Sequence, residues 1–113
     1  MSNNKIAADI LQQLGGSRFI VMTGSKNFVA DNNSLTMCLA RNASKANRLK
    51  ITLNGLDLYD MRFYRYTAPH YSTRNGQFKL YHEKVTEIKQ YNDIYCDQLQ
   101  ELFTEVTGMY THL

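Results

Sequence analysis

The sequence predicts an α+β fold: an antiparallel sheet of about five strands, in the order α-β-β-β-β-β-α, with the N- and C-terminal helices packed on one face. Three observations lead there. Residues 48–67 alternate apolar and polar side chains with period two over two neighbouring segments, the mark of half-buried strands. Each end of the chain instead carries an apolar stripe at helical spacing. The links between segments are short, which favours antiparallel pairing over βαβ crossovers. At 113 residues and 43% hydrophobic, the chain reads as one domain able to bury a core rather than a disordered segment.

The first helix is predicted from Ile6, Ile10, Leu11 and Leu14, with Ser2, Asn3 or Asn4 as its cap and Gly15-Gly16 as its stop. Residues 18–23, RFIVMT, form a continuous apolar run and are predicted as the first strand. Residues 24–33 are turn-rich, with Phe28 and Val29 folding back over an end of the core. The second strand spans 34–40, where Leu35, Met37 and Leu39 alternate with Thr36 and Cys38, making Cys38 a polar-face thiol. Residues 41–47, RNASKAN, are small and polar and form a surface loop.

The central pair follows. Leu49, Ile51 and Leu53 face inward, with Tyr59, Met61 and Phe63 joining them from the next strand. A two-residue Asn54-Gly55 turn would throw Tyr59, Met61 and Phe63 onto the face of Lys50. An odd connection keeps all six together, so a three- or five-residue, bulged turn with Gly55 at positive φ is expected. The outer face then shows Lys50, Arg62, Tyr64 and Tyr66. Pro69 and the Asn75-Gly76 turn signal mark residues 68–82 as a projecting β-ribbon. Residues 85–91 return to the sheet with imperfect alternation. The last helix is predicted over 94–107, capped by Asn92 or Asp93 and stopped by Gly108, with Tyr95, Leu99, Leu102, Phe103 and Val106 on its apolar face. The tail 109–113 is expected to tuck back onto the sheet.

Charge is unevenly spread. Residues 1–82 hold eleven Lys/Arg against four Asp, and residues 83–113 hold two Lys against six Asp/Glu. Between Asp31 and Asp57 there is no acid at all. Such asymmetry marks either a nucleic-acid surface or an acidic helix complementing a basic sheet. Two distant cysteines without a CxxC pair, and no signal peptide, fit a reduced intracellular protein. No apolar run approaches the roughly 20 residues that span a bilayer, so no membrane partner is expected.

Catalytic patterns are missing. Gly24-Ser25-Lys26 lacks the spacing of a phosphate loop, and the three histidines lack metal-ligand spacing. Asp57 and Asp60 flank a turn, and no serine or cysteine sits in a nucleophile motif. The expectation is no catalytic residue, no metal and no cofactor. What rises above background is a run of cations interleaved with tyrosines: Arg62, Tyr64, Tyr66, Tyr71, Arg74, Lys79 and Tyr81. Tyr and Arg dominate protein–protein hot spots, and the same mixture stacks bases and holds phosphates.

At LGGSRFIVMTGSKNF, ITLNGLDLYDMRF and QLQELFTEVTGMYTHL the chain resembles small uncharacterised proteins of bacteriophages and other bacterial mobile elements. The resemblance implies a bacterial or phage context, action in the host cytoplasm and a role in binding, with no functional residue to carry over. The expected function is therefore a non-enzymatic binding protein. Its Tyr/Arg-rich sheet face and ribbon would engage a protein partner, such as a host or defence factor, or a second copy of itself. The alternative is a nucleic-acid binder using the basic loop 41–50, with Arg41, Lys45, Arg48 and Lys50, and the basic and aromatic stretch 62–81.

Overall fold

Helix α1 (Asn4–Leu14) buries Ala7, Ile10 and Leu14, and Gly15 and Gly16 end it at φ 125° and 62°. These values come from a computed structural model that describes residues 4–111. Ser2 and Asn3, expected as caps, lie outside the described residues, as do the last two residues of the tail. The Gln100 side chain donates to the Leu14 carbonyl at 2.7 Å, satisfying an acceptor that the helix end leaves open.

Residues 18–23 are not a strand. They belong to helix α2 (Ser17–Thr23), which packs Phe19 and Thr23 inward and leaves Val21 81% exposed. A short apolar run is ambiguous between buried strand and helix. Here glycine settles it: Gly24 at φ 68° closes the helix by donating to the Ile20 carbonyl, and the Thr23 hydroxyl bonds back to the Phe19 carbonyl at 2.7 Å. The first strand is instead β1 (Lys26–Ala30), in the segment expected to be a loop. Phe28 there packs against the core and Val29 is exposed, so only one of the two covers it.

The sheet continues through β2 (Ser34–Cys38), β3 (Arg48–Leu53), β4 (Tyr59–Thr67) and β7 (Lys84–Ile94), all antiparallel in the order β1-β2-β3-β4-β7. Between β4 and β7 the chain makes the hairpin β5 (His70–Arg74) and β6 (Gln77–Tyr81). Leu53 faces Tyr59, so the β3–β4 connection is five residues long, as burial of both apolar sets requires. The positive φ falls on Asp57, at 60°, and not on Gly55, and the β3–β4 ladder carries no bulge. Asn54 organises this turn, its side-chain oxygen accepting from the Leu56 and Leu58 amides at 2.8 and 3.3 Å.

The imperfect alternation expected at 85–91 reflects two bulges where β7 pairs with β4. One turns Ile88 toward the core; the other holds Asp93 at φ 57°, its amide donating to Asp60. Asn92 and Asp93 are thus strand residues and cap no helix. Helix α3 (Leu99–Thr107) starts later, after a single 3₁₀ turn at Cys96–Gln98, where the Gln98 side chain accepts from the Tyr95 amide at 3.1 Å. Tyr95 itself is exposed rather than part of the apolar face, whereas Leu99 and Phe103 are fully buried.

All three helices cover one face of the sheet. Leu49, Ile51, Met61 and Phe63 are fully buried beneath Ile10, Leu14, Phe19 and Phe103. Phe103 joins the layers, its ring edge-on to Phe19 at 4.9 Å and 6.3 Å from Phe63. Among the described residues no layer covers the opposite face, where Arg48, Lys50, Arg62, Tyr64 and Tyr66 lie.

Candidate recognition surfaces

Strand β4 alternates Met61 and Phe63 into the core with Arg62, Tyr64 and Tyr66 onto the open face, where β3 adds Arg48 and Lys50. The outward set is tied together. Arg62 Nε donates to both carboxylate oxygens of Glu87 on β7 at 2.8 and 3.0 Å, and Nη2 completes the fork. The same guanidinium lies over the Tyr64 ring, 4.2 Å from its centroid, while its edge meets the carboxylate. Hydrogen bonding to Arg62 holds the Glu87 carboxyl below its ordinary range. The Tyr66 hydroxyl donates to Glu83 at 3.0 Å, which raises its pKa, and Arg48 lies over the Tyr66 ring at 5.5 Å. Asn47 holds that strand end in place: its oxygen accepts from the Tyr66 amide at 2.7 Å and its nitrogen donates to the Tyr66 carbonyl at 2.9 Å.

The hairpin continues the β4–β7 ribbon. Thr67 faces Lys84 before the break and His70 faces Tyr81 after it, an unchanged register across Pro69, whose missing N–H interrupts the ladder. Asn75 and Gly76, at φ 54° and 78°, make the mirror-image turn that matches strand twist. Every residue of β5 and β6 is exposed. Pairing sorts their side chains into two unlike faces. Tyr71, Thr73, Phe78 and Leu80 form one, with the Tyr71 and Phe78 rings stacked at 5.3 Å. Tyr71, Phe78 and Leu80 are 68%, 65% and 55% exposed.

The reverse face carries His70 stacked on Tyr81 at 4.7 Å, Lys79 over the Tyr81 ring at 4.9 Å, and Arg74 opposite Gln77. The seven residues expected to form one site therefore divide. Arg62, Tyr64 and Tyr66 lie on the sheet; Tyr71 is on the apolar side of the hairpin; Arg74, Lys79 and Tyr81 are on its cationic side. Phe78 and Leu80 are outside that set; alternation in QFKLY puts the two on one side of β6, and pairing makes it the side of Tyr71.

The basic loop divides as well. Arg41 and Lys45 border a concavity of about 720 Å³ beside the loop 41–47, where Arg65 of β4 joins them. Arg48 and Lys50 are on the sheet face instead. No group of three or more His, Cys, Asp or Glu residues positioned for a metal occurs among the described residues. No helix among them is long and apolar enough to cross a membrane. No protein-family model matches the chain, and comparisons with curated proteins and with solved structures also returned no match.

Proposed function

We propose that this chain is a non-enzymatic binding protein of phage or mobile-element origin that engages a protein partner through the hairpin β5–β6 and the adjoining Tyr/Arg sheet face, in the cytoplasm of the bacterial host. The observation that carries the reading is the bare apolar side of the hairpin. A two-stranded ribbon by itself is at best marginally stable in water, and this one places Tyr71, Phe78 and Leu80 together, each more than half exposed. Covering such a face returns about 25 cal/mol for each Å² removed from water, and aromatic side chains lose little entropy on docking. Arg74 and Lys79 make the reverse side of the hairpin cationic, and at its base Lys84 lies beside Glu83, which accepts from Tyr66. The partner that fits offers an apolar strip bordered by carboxylates.

The test is a photoreactive amino acid placed at position 78 or, for comparison, at the exposed position 21 on α2, in cells of the bacterium that carries the gene. Irradiation is expected to give a discrete adduct from position 78 and none from 21, with mass spectrometry identifying the partner. A self-adduct names a second copy as the occupant. No adduct at 78, or the same adducts from both positions, refutes the reading. A Tyr71→Ser, Phe78→Ser, Leu80→Ser variant keeps the parent's thermal midpoint and loses competition for the adduct.

A further inference from the structure

The loop 41–47, which joins β2 to β3, is anchored more heavily than a mere connector requires. Leu39 donates to the Asn47 carbonyl, Asn47 to the Tyr64 carbonyl, and Ala43 to the Thr107 carbonyl at the end of α3. Inside the loop the Asn42 amide donates to the carbonyls of Ala40 and Ala46, both at 2.8 Å, and its oxygen accepts from the Ser44 amide at 2.9 Å. Lys45 sits at φ 68°, a left-handed conformation that a lysine rarely adopts. Its carbonyl accepts from Arg65 Nη1 at 3.0 Å, which ties the loop to β4.

This anchoring sets three cations around the concavity of about 720 Å³: Arg41, Lys45 and Arg65, above a floor that includes the buried Leu39 and Ala46. Among the described residues no carboxylate lines it. Among the described residues the ion pair is Arg62–Glu87, so none of the three is neutralised by a salt bridge. Like charges brought together without a counter-ion raise the local positive potential and favour an anion. Arg65 spends one donor on the loop and keeps the others of its fork, the geometry that grips phosphate oxygens in pairs. The volume lies within the range of small-molecule sites, about 300–1,000 Å³, which is more than a bare phosphate needs.

We infer that this concavity binds the phosphate of a nucleotide, either free or as part of a single strand. The site lies on a different surface from the hairpin and stands or falls independently of it. The experiment titrates the full chain with inorganic phosphate, adenosine monophosphate and a short oligothymidylate at low and at physiological salt, followed by amide NMR shifts. Binding is expected to move the amides of residues 41–47, and Arg65→Met and Lys45→Met each to weaken it about tenfold. Arg74→Met on the hairpin should leave it unchanged. Equal affinity for the mononucleotide and the oligomer identifies a free nucleotide. A tighter oligomer with steep salt dependence identifies a strand.

Two outcomes overturn the proposal: no probe shifting those amides at low salt, or equal binding by parent and both variants. Should Arg65→Met unfold, Lys45→Met decides alone, because Lys45 is exposed and its side chain supports no part of the core.

Discussion

Replacing Phe19 by alanine and Val21 by lysine tests whether residues 17–23 wind as a helix. Two residues apart, these side chains share a face in a strand, whereas on a helix they point to different sides. Phe19 is fully buried with its ring against Phe103, while Val21 is 81% exposed. Deleting the Phe19 ring leaves a cavity between α2 and α3 at a cost of about 3–5 kcal/mol. For a chain of 113 residues, an unfolding entropy of about 2.1 cal/mol/K per residue makes each kcal/mol worth about 4 °C, so the midpoint should fall by about 13–21 °C. Lysine at position 21 remains in water and forms helix better than valine, so its effect should stay within about 0.5 kcal/mol. The assays are thermal and urea unfolding followed by far-UV circular dichroism, with the denaturant slope of each variant compared with the parent's. A loss above about 2 kcal/mol for Val21→Lys, or below about 1 kcal/mol for Phe19→Ala, would contradict the helical packing described here.

The remaining expectations concern the open face and the ribbon. Glu87 has its folded pKa lowered from the ordinary 4.5 by Arg62; the stability it contributes is present above that value and disappears as pH falls through the folded pKa. A carboxyl titration by NMR should show the Glu87 midpoint rising in Arg62→Met, and an unmoved midpoint would break the assignment. Asn47→Ala removes two hydrogen bonds to the Tyr66 backbone and should cost about 1–3 kcal/mol in chemical denaturation, with a neutral result arguing against the clamp. Gly76→Ala meets no atom within 4 Å, yet φ is 78°, so the strain of about 1–2 kcal/mol falls on the turn alone. Hydrogen exchange should quicken in β5 and β6 while the global midpoint stays put; a matching global loss would mean the hairpin supports the core.

Much of the framework was legible because it is written locally. The alternation at Leu49, Ile51, Met61 and Phe63 predicted a shared buried face, and all four are fully buried. The need to bury both sets required an odd connection, and five residues are found between Leu53 and Tyr59. Asn75-Gly76 announced its own turn. What failed also has local causes. RFIVMT satisfies strand and helix equally by hydrophobicity, and only the capping role of Gly24 separates them. Asp93 looked like a cap because aspartate side chains accept from backbone amides at helix starts, whereas here aspartate serves a bulge whose positive φ it tolerates. The candidate surface scattered for a further reason: period two shows that Tyr71, Arg74, Lys79 and Tyr81 are in a ribbon, but sorting them between its two sides takes the pairing register.

By itself, then, the sequence determined the fold class, the inward residues of the central strands and the ribbon with its turn, since periodicity and turn chemistry depend on neighbours a few positions away. Tertiary structure decided the rest. It set the Phe19 ring of α2 edge-on against Phe103 of α3. It brought Arg65 to Arg41 and Lys45 across twenty or more positions of chain. It also left Tyr71, Phe78 and Leu80 uncovered, because all three helices lie on the sheet and none reaches the hairpin. Which surfaces meet, and which stay bare, follows from the packing of distant segments, and no short window of residues contains that information.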